Sequence, residues 1–181
     1  MLYQKLFILF LSGASGAGKT TILNVLQTSN TDTSGAFLHF DSIGVPSFEE
    51  MTEQAGSPQR WQEVTTHKWV EKIVAEYANK DFVVLEGQVN PDFIEDACHK
   101  FNVSRYAIVL IDCDWETMSD RLLNKRQQPE LVNTDMKNWA DFLREQAIRK
   151  NISVIDTSRR TPEEVAKFIQ KEILANSKKG D

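Results

Sequence analysis

The sequence predicts a three-layer α/β fold built on a parallel sheet, and three observations support this. Five short apolar segments recur along the 181 residues, separated by segments with helical periodicity. The apolar segments are uninterrupted, which is typical of parallel strands covered by helices on both faces. The first of them runs directly into a glycine-rich loop and a helix. We therefore expect a single domain over residues 1–181 with a five-stranded parallel sheet.

The predicted strands end in residues that can carry chemistry. The strands are predicted over 6–11, 36–40, 82–85, 107–111 and 152–155. The residues at their ends are Gly13, Asp41, Glu86, Asp112 and Asp156. Ligands of parallel α/β sheets bind beyond the carboxyl ends of the strands. We therefore expect these five positions to open on one side of the sheet.

Helices are predicted between the strands. One begins near Lys19, and a long one begins at Pro58, with Trp61, Trp69 and Tyr77 among its four-residue repeats. Others are predicted over 91–100, after the N-cap Asp114, over 136–150, and after the capping box that begins at Thr161. Segments 29–35 and 127–134 are predicted loops, 42–57 is punctuated by glycine and proline, and the tail from residue 176 is polar.

The composition is that of an ordinary globular protein, with 41% hydrophobic and 26% charged residues. The net charge of −5 argues against nucleic-acid binding. The longest apolar run, 6–11, is far shorter than the ~20 residues that cross a membrane. It is also too short for a signal peptide. Cys98 and Cys113 fit no metal or redox spacing, so we expect a cytoplasmic protein.

Residues 13–20 carry the most specific motif. They read Gly-Ala-Ser-Gly-Ala-Gly-Lys-Thr, a complete G-x-x-x-x-G-K-[ST] phosphate-binding loop between a strand and a helix. The glycines let consecutive backbone N–H groups face one anion, and the helix adds its positive end. Lys19 is suited to reach the β- and γ-phosphates, and Thr20 to bind Mg²⁺. The predicted nucleotide-binding residues are Gly13, Ala14, Ser15, Gly16, Ala17, Gly18, Lys19, Thr20 and Thr21.

Three strand-end acids have separate candidate roles. Glu86 and Asp112 both qualify as the carboxylate that supports Mg²⁺, directly or through water. The alternative for each is a helix N-cap or a loop acid. A carboxylate at Asp41 is suited to accept a proton from a substrate hydroxyl that attacks the γ-phosphate. The alternative for Asp41 is an Asx-turn at the strand end.

Six of the eight arginines lie between residues 121 and 160. In an acidic protein this gathering suggests a local anion site, with arginines in a flap that closes over the phosphates. The alternative is a set of surface helices with ordinary basic faces. We predict a lid over 121–144, with Arg126 as its catalytic cation.

Several segments together resemble the P-loop small-molecule and nucleoside-monophosphate kinases, the group of shikimate kinase, gluconate kinase and adenylate kinase. Besides the phosphate loop, His39-Phe40-Asp41-Ser42 is similar to the second-strand motif whose Asp meets the acceptor hydroxyl. Segment 83–88 looks like the third-strand segment, with Glu86 in place of Asp. Segments 116–126 and 155–158 are similar to the lid-entry helix and the adenine-side loop. The resemblance covers about residues 5–175.

This resemblance implies a P-loop NTPase fold with a helical acceptor-binding segment at 42–80 and a short lid. It implies ATP and Mg²⁺ as cofactors, with nucleotide contacts from Arg121, Thr157 and Arg159. The residues expected to contact the acceptor are Asp41, Arg60, Gly87, Gln88 and Arg144. Arg60 is assigned by its position in the chain rather than by a motif.

The acceptor differs from those of the best-known members. The Arg-Pro-Leu-Leu lid of shikimate kinase is replaced by 128–131, Gln-Pro-Glu-Leu, and the Asp-Gly-Phe-Pro-Arg run of adenylate kinase is missing. The leading hypothesis is transfer of the ATP γ-phosphate to a small acceptor through a hydroxyl. The alternatives are a nucleoside-monophosphate kinase and a nucleotide-binding switch or adaptor ATPase; a kinase of nucleic-acid ends is a weaker one. No Asn-Lys-x-Asp motif for reading guanine occurs, so ATP is favoured over GTP.

Overall fold

The computed structural model describes residues 5–30 and 34–174, apart from the side chains of 172 and 173. Five strands form one parallel sheet in the order β2-β3-β1-β4-β5. The strands are β1 (Phe7–Ser12), β2 (Gly35–His39), β3 (Phe82–Gly87), β4 (Tyr106–Asp112) and β5 (Ser153–Asp156). The predicted α/β class and the five-stranded parallel sheet are therefore confirmed.

Seven α-helices are found in the described ranges. They are α1 (Lys19–Ser29), α2 (Phe48–Ala55), α3 (Pro58–Glu76), α4 (Pro91–Lys100), α5 (Trp115–Asp120), α6 (Thr134–Arg149) and α7 (Pro162–Phe168). Helices α5 and α7 continue in π-helical turns over Arg121–Lys125 and Ile169–Leu174. The tail from residue 176 and part of the predicted loop 29–35 lie outside the described residues.

Helix α2 lies in the segment 42–57, where the sequence pattern indicated only glycine and proline punctuation. Its start is nevertheless encoded locally. Ser47 accepts a hydrogen bond from the backbone of Glu50, whose side chain accepts one from the backbone of Ser47. This reciprocal capping box satisfies two helix-terminal N–H groups that otherwise lack partners.

Helices cover both faces of the sheet. Alternate residues of β1 point to opposite faces: Leu9 and Leu11 belong to one buried cluster, Ile8 and Phe10 to the other. The first cluster includes buried side chains of α1, α5 and α7, and the second includes those of α3 and α4. Each large side chain buried there stabilises the fold by about 1.5–3 kcal/mol. No helix in the described ranges is both long and apolar enough to span a membrane.

The strand ends meet at one edge, as the parallel topology predicts. In register, Ser12 at the end of β1 lies beside Gly87 of β3, and His39 of β2 lies beside Glu86. A 3₁₀ turn, Phe40–Ile43, follows β2 and carries Asp41. Trp69 of α3 is 3% exposed and donates its indole N–H to the Phe40 carbonyl over 3.0 Å. This buried contact of α3 fixes the turn on which Asp41 lies.

Candidate functional site

The phosphate loop joins β1 to α1 at the centre of this edge. Gly13, Gly16 and Gly18 have φ values of 157°, 83° and 103°. A Cβ on Gly13 would collide with the backbone carbonyl oxygen of Ile111 in β4. A backbone atom in a buried strand cannot move aside easily, so the close approach of loop and strand requires glycine here.

A cavity of about 510 Å³ opens at this loop, which is within the usual range for small-molecule sites. Eight predicted site residues line it: Gly16, Gly18, Lys19, Thr20, Thr21, Arg121, Arg126 and Thr157. Lys125 and Arg160 also line it, so five cationic side chains face one space. This concentration of positive charge suits a polyanion such as a nucleoside triphosphate.

Arg160, in the loop between β5 and α7, lines the cavity. The neighbouring Arg159, which was predicted to contact the nucleotide, is not among the lining residues, and its predicted contact stays untested. The same wall includes Pro162 and Val165 from the start of α7. These two residues were not predicted from the sequence to belong to the site. Val165 is 1% exposed, so the half-buried Pro162 supplies most of the apolar surface on which a flat base can pack.

Lys19 is the most strongly perturbed cation at the site. It is 6% exposed, and its ammonium group donates to the Ala14 carbonyl over 3.0 Å. Burial lowers the pKa of Lys19 to about 8, with a further lowering by the positive charge of Arg126. The negative charges of Glu86 and Asp41 act in the opposite direction. All three residues are therefore close enough to Lys19 to act on its charge.

Thr20 and Glu86 form an oxygen-rich pair beside Lys19. The Thr20 hydroxyl donates to Oε1 of Glu86 over 3.2 Å, and Nδ1 of His39 lies 2.8 Å from the same oxygen. Glu86 is only 7% exposed. A hydroxyl and a carboxylate next to a phosphate loop fit the hard oxygen ligands that Mg²⁺ prefers. The predicted Mg²⁺ residues thus lie together, although their role as ligands stays a prediction.

Asp41 lies within electrostatic reach of the same group. Asp41 is exposed and lies in the turn that follows β2. Partial desolvation and the negative charge of Glu86 raise the pKa of Asp41, while the positive charges of Lys19 and Arg126 oppose the shift. The predicted base and the predicted lid cation Arg126 are thus near the buried lysine. Their catalytic roles stay predictions.

Asp112, the other candidate for Mg²⁺, is engaged elsewhere. Arg144 of α6 donates to both of its carboxylate oxygens, Nε over 2.7 Å and Nη2 over 3.0 Å. Arg144 also donates to Asp141 over 2.6 Å and to the Cys113 carbonyl over 2.8 Å. The hydrogen bonds to Asp112 and Asp141 raise the pKa of Arg144. Arg144 therefore ties the end of β4 to α6 here, and its predicted contact with the acceptor stays untested.

Substituting Arg144 tests this structural assignment. Arg144→Met is expected to reduce the free energy of unfolding by about 1–3 kcal/mol, because it leaves the mostly buried Asp112 carboxylate without its charged donor. Urea unfolding at pH 7 measures the change. Asp112→Asn combined with Arg144→Met is expected to cost less than the sum of the two single substitutions. An Arg144→Met protein with unchanged stability would contradict the structural role.

Arg121 connects the phosphate loop to the loop after β5. Its Nη1 donates to the Thr157 hydroxyl over 2.9 Å and lies 3.3 Å from the carbonyl oxygens of Gly16 and Ala17. Its Nη2 donates to the Thr157 carbonyl over 2.8 Å. Thr157 is 4% exposed, with its hydroxyl 2.8 Å from the Ala17 carbonyl. Arg121 and Thr157 therefore line the cavity while holding the outer side of the loop.

The remaining acceptor candidates lie apart or make internal contacts. Arg60 pairs with Glu63 over 2.6 Å and lines a surface cleft between α3 and α4 that shares no residue with the cavity at the phosphate loop. At Gly87 a Cβ would lie 2.5 Å from the Cβ of Phe40. Gln88 is hydrogen-bonded to Ser15 of the phosphate loop. The predicted acceptor contacts of all three stay untested.

No protein-family model and no curated protein sequence matches this chain. Solved structures match it over nearly its full length. A gluconokinase from Sinorhizobium meliloti 1021 has a TM-score of 0.65 at 13% identity, covering 97% of this chain and 95% of that one. A thymidylate kinase from Candida albicans has a TM-score of 0.61 at 12% identity, covering 95% and 92%.

A shikimate kinase from Acinetobacter baumannii, crystallised with shikimate, has a TM-score of 0.57 at 19% identity and covers 96% of each chain. At these identities the likeness establishes a shared fold. The chain thus has the fold of the P-loop nucleoside and small-molecule kinases, as its resemblance to them predicted.

Proposed function

We propose that this protein is an ATP-dependent kinase that transfers the γ-phosphate to a hydroxyl of a small molecule. The observation that carries the proposal is the charge arrangement around the buried ammonium group of Lys19. Glu86, Arg126 and Asp41 all act on its pKa, next to a phosphate loop and a basic cavity. Phosphoryl transfer needs groups that position the phosphates and neutralise their charge, and two acids and two cations beside one phosphate loop can do both.

The proposed roles follow from these positions. The loop amides and Lys19 hold the β- and γ-phosphates, and Thr20 with Glu86 holds Mg²⁺. When bound, Mg²⁺ neutralises charge on the phosphate oxygens. Arg126 approaches the transferring phosphate as the lid closes and stabilises the charge that develops there. Asp41 accepts the proton of the attacking hydroxyl, and its raised pKa makes it a better base than an ordinary aspartate.

The acceptor is proposed to bind to segment 42–80. An open cleft of about 440 Å³ lies there between the turn that carries Asp41 and helices α2 and α3. Its walls combine apolar residues such as Val45 and Trp61 with the charged residues Glu50 and Lys68. This mixture suits a small polar metabolite with an apolar face better than a highly charged one. Both cysteines are buried thiols, which supports the proposal of a reducing, cytoplasmic location.

A nucleoside-monophosphate kinase is the second candidate. The likeness to the thymidylate kinase covers 95% of this chain and 92% of that one, nearly as much as the likeness to the gluconokinase, at 97% and 95%. The phosphate of a nucleoside monophosphate is already a nucleophile, so such an enzyme has no need of Asp41 as a base. The third candidate is a switch or adaptor that binds nucleotide and hydrolyses it slowly.

A substrate screen tests the proposal. ATP consumption is measured with Mg²⁺ against a panel of hydroxyl-bearing metabolites and nucleoside monophosphates, and phosphorylated products are identified by mass spectrometry. Stimulation by one hydroxyl compound supports the leading proposal, and stimulation by a nucleoside monophosphate supports the second. Tight ATP binding without stimulation by any compound favours the switch, whereas absence of ATP binding contradicts all three.

A further inference from the structure

A chain of side-chain hydrogen bonds runs from α3 to the phosphate loop. Gln62 of α3 donates through Nε2 to the Gln88 carbonyl over 2.8 Å, and its Oε1 accepts from the backbone N–H of Asn90 over 3.1 Å. The side chain of Gln88 continues the chain. Its Oε1 accepts from the backbone N–H of Ser15 over 3.1 Å, and its Nε2 donates to the Ser15 hydroxyl over 3.0 Å.

Each glutamine thus uses both ends of its amide. An amide bonded at its donor and its acceptor has one orientation that satisfies both partners, so it fixes the distance between the elements that it joins. Ser15 is 5% exposed and Asn90 is 7% exposed, so water competes little with these bonds. Val89, between the two bonded residues, accepts a hydrogen bond from the Ser12 hydroxyl over 2.6 Å. Three consecutive residues, 88–90, therefore fasten β1, the phosphate loop and α3 together.

Gln88 attaches to the phosphate loop at Ser15, next to a glycine with a positive φ. Ser15 immediately precedes Gly16, which has a φ of 83° and lines the cavity. Gln88 holds Ser15 by its backbone as well as by its hydroxyl, so it constrains the path of the main chain at this turn. A shift of the turn would misalign N–H groups that must face one phosphate together.

We infer that Gln88 and Gln62 are positioning residues for the nucleotide, with Gln88 acting on the phosphate loop and Gln62 acting through Gln88. The inference rests on the proposed function, because it concerns ATP binding by this loop. It assigns Gln88 a role at the phosphate loop, whereas the sequence predicted a direct contact between Gln88 and the acceptor. Since Gln62 lies in the segment proposed to bind the acceptor, the chain also links the two substrates of the enzyme.

The substitution Gln88→Met tests the inference, because it removes both hydrogen bonds and keeps the length of the side chain. The matched control is Gln146→Met in α6. Gln146 is a buried glutamine that, like Gln88, is bonded at both ends, to Asp92 over 3.0 Å and to Arg149 over 2.7 Å, and it lines none of the cavity at the phosphate loop. Binding of Mg²⁺-ATP is measured by titration calorimetry, and thermal unfolding of each nucleotide-free protein is recorded in parallel.

Gln88→Met is expected to weaken Mg²⁺-ATP binding about tenfold, because the loop loses two hydrogen bonds that hold its binding conformation. Gln146→Met is expected to lower the unfolding temperature while leaving the ATP Kd within twofold of the original value. Gln62→Met is expected to weaken binding about threefold. The double variant Gln62→Met/Gln88→Met should bind no more weakly than Gln88→Met alone, because Gln62 acts through Gln88.

The outcomes separate the inference from the proposed function. If the unsubstituted protein does not bind Mg²⁺-ATP, the proposed function fails first. If it binds ATP and Gln88→Met binds equally well, the positioning role of Gln88 is wrong. An unchanged ATP Kd together with a raised KM for an acceptor identified in the screen would instead restore Gln88 as an acceptor contact. Additive effects of the two glutamine substitutions would remove Gln62 from the chain.

Discussion

Replacing Lys19 with methionine is expected to abolish ATP turnover and, at the same time, to stabilise the nucleotide-free protein at pH 7. Methionine keeps most of the length of the buried side chain but removes the charge that would bind the β- and γ-phosphates. In phosphoryl transfer, loss of a cation that contacts the transferring group typically costs several powers of ten in rate. Transfer to an acceptor and basal ATP hydrolysis should therefore both fall to background in a coupled assay.

The gain in stability follows from the direction of the pKa shift. At pH 7 the lysine is charged in both the folded and the unfolded chain, and burial makes the charged form unfavourable in the folded chain. A pKa lowered from 10.5 to about 8 corresponds to about 3 kcal/mol of lost stability, which the methionine variant avoids. Loss of the hydrogen bond to Ala14 offsets about 1 kcal/mol of this gain.

The pH dependence of the free energy of unfolding tests the lowered pKa of Lys19 independently. Between pH 8 and 10.5 the unfolded chain binds a proton at Lys19 that the folded chain does not, so this lysine makes stability rise with pH in that window. Urea unfolding at several pH values should therefore show the stability advantage of Lys19→Met at pH 7 shrinking as pH approaches 10.5. Lys167→Met, at an exposed position of α7 that does not line the cavity, should change neither turnover nor this profile. A methionine variant that is less stable than the unsubstituted protein at pH 7 would contradict the expectation.

The centre of the site could be predicted from sequence because its signal is local. Lys19 and Thr20 belong to a contiguous motif whose backbone conformation is set by its glycines. The approach of Asp41 and Glu86 to this loop was predicted with similar ease. In a parallel sheet the carboxyl ends of neighbouring strands must open on the same side, whatever the details of packing.

The contacts that could not be predicted from the sequence join residues that are far apart in the chain. Ser15 and Gln88 are 73 residues apart, and Asp112 and Arg144 are 32 apart. By sequence, Glu86 and Asp112 both qualified for Mg²⁺, since both end apolar strands, and Glu86 was the predicted ligand. The pairing of Asp112 with Arg144 depends on the position of α6, and helix docking depends on side-chain packing that no short motif encodes.

The position of Arg160 in the wall of the cavity could not be predicted for a different reason. Arg159 and Arg160 follow each other in a loop, where no helical or strand period indicates which side chain faces inward. The predicted contact of Arg159 with the nucleotide stays untested. Helix α2 was missed because it has only eight residues and is flanked by glycine and proline, so its capping box is its clearest local signal.

Replacing Asp41 with asparagine is expected to lower the rate of transfer to a hydroxyl acceptor by about 10²–10⁴-fold, the usual contribution of a general base. Asparagine has nearly the same size but cannot accept the proton. Mg²⁺-ATP binding should change little, because the exposed Asp41 side chain is not among the residues that line the nucleotide cavity. Transfer rate and ATP Kd are measured on the same preparation, with Glu145→Gln as an exposed control that also removes one negative charge.

The pH profile of transfer adds a second expectation for Asp41. The base acts only when deprotonated, so transfer should fall as pH decreases through the pKa of Asp41. Partial desolvation and Glu86 raise that pKa, so the acidic limb should lie at a higher pH than an ordinary aspartate would give. The limb should be absent from the residual activity of Asp41→Asn, whereas Glu145→Gln should retain it.

The same substitution decides which kind of acceptor the protein uses. A hydroxyl must lose its proton as it attacks, whereas the phosphate of a nucleoside monophosphate attacks without one. If the stimulating compound is a nucleoside monophosphate, Asp41→Asn should slow transfer by less than about threefold. If the compound is a hydroxyl metabolite and Asp41→Asn transfers phosphate at the full rate, Asp41 is not the base. The proton would then have to pass to another strand-end group, for which the His39–Glu86 pair on the neighbouring strands β2 and β3 is a candidate.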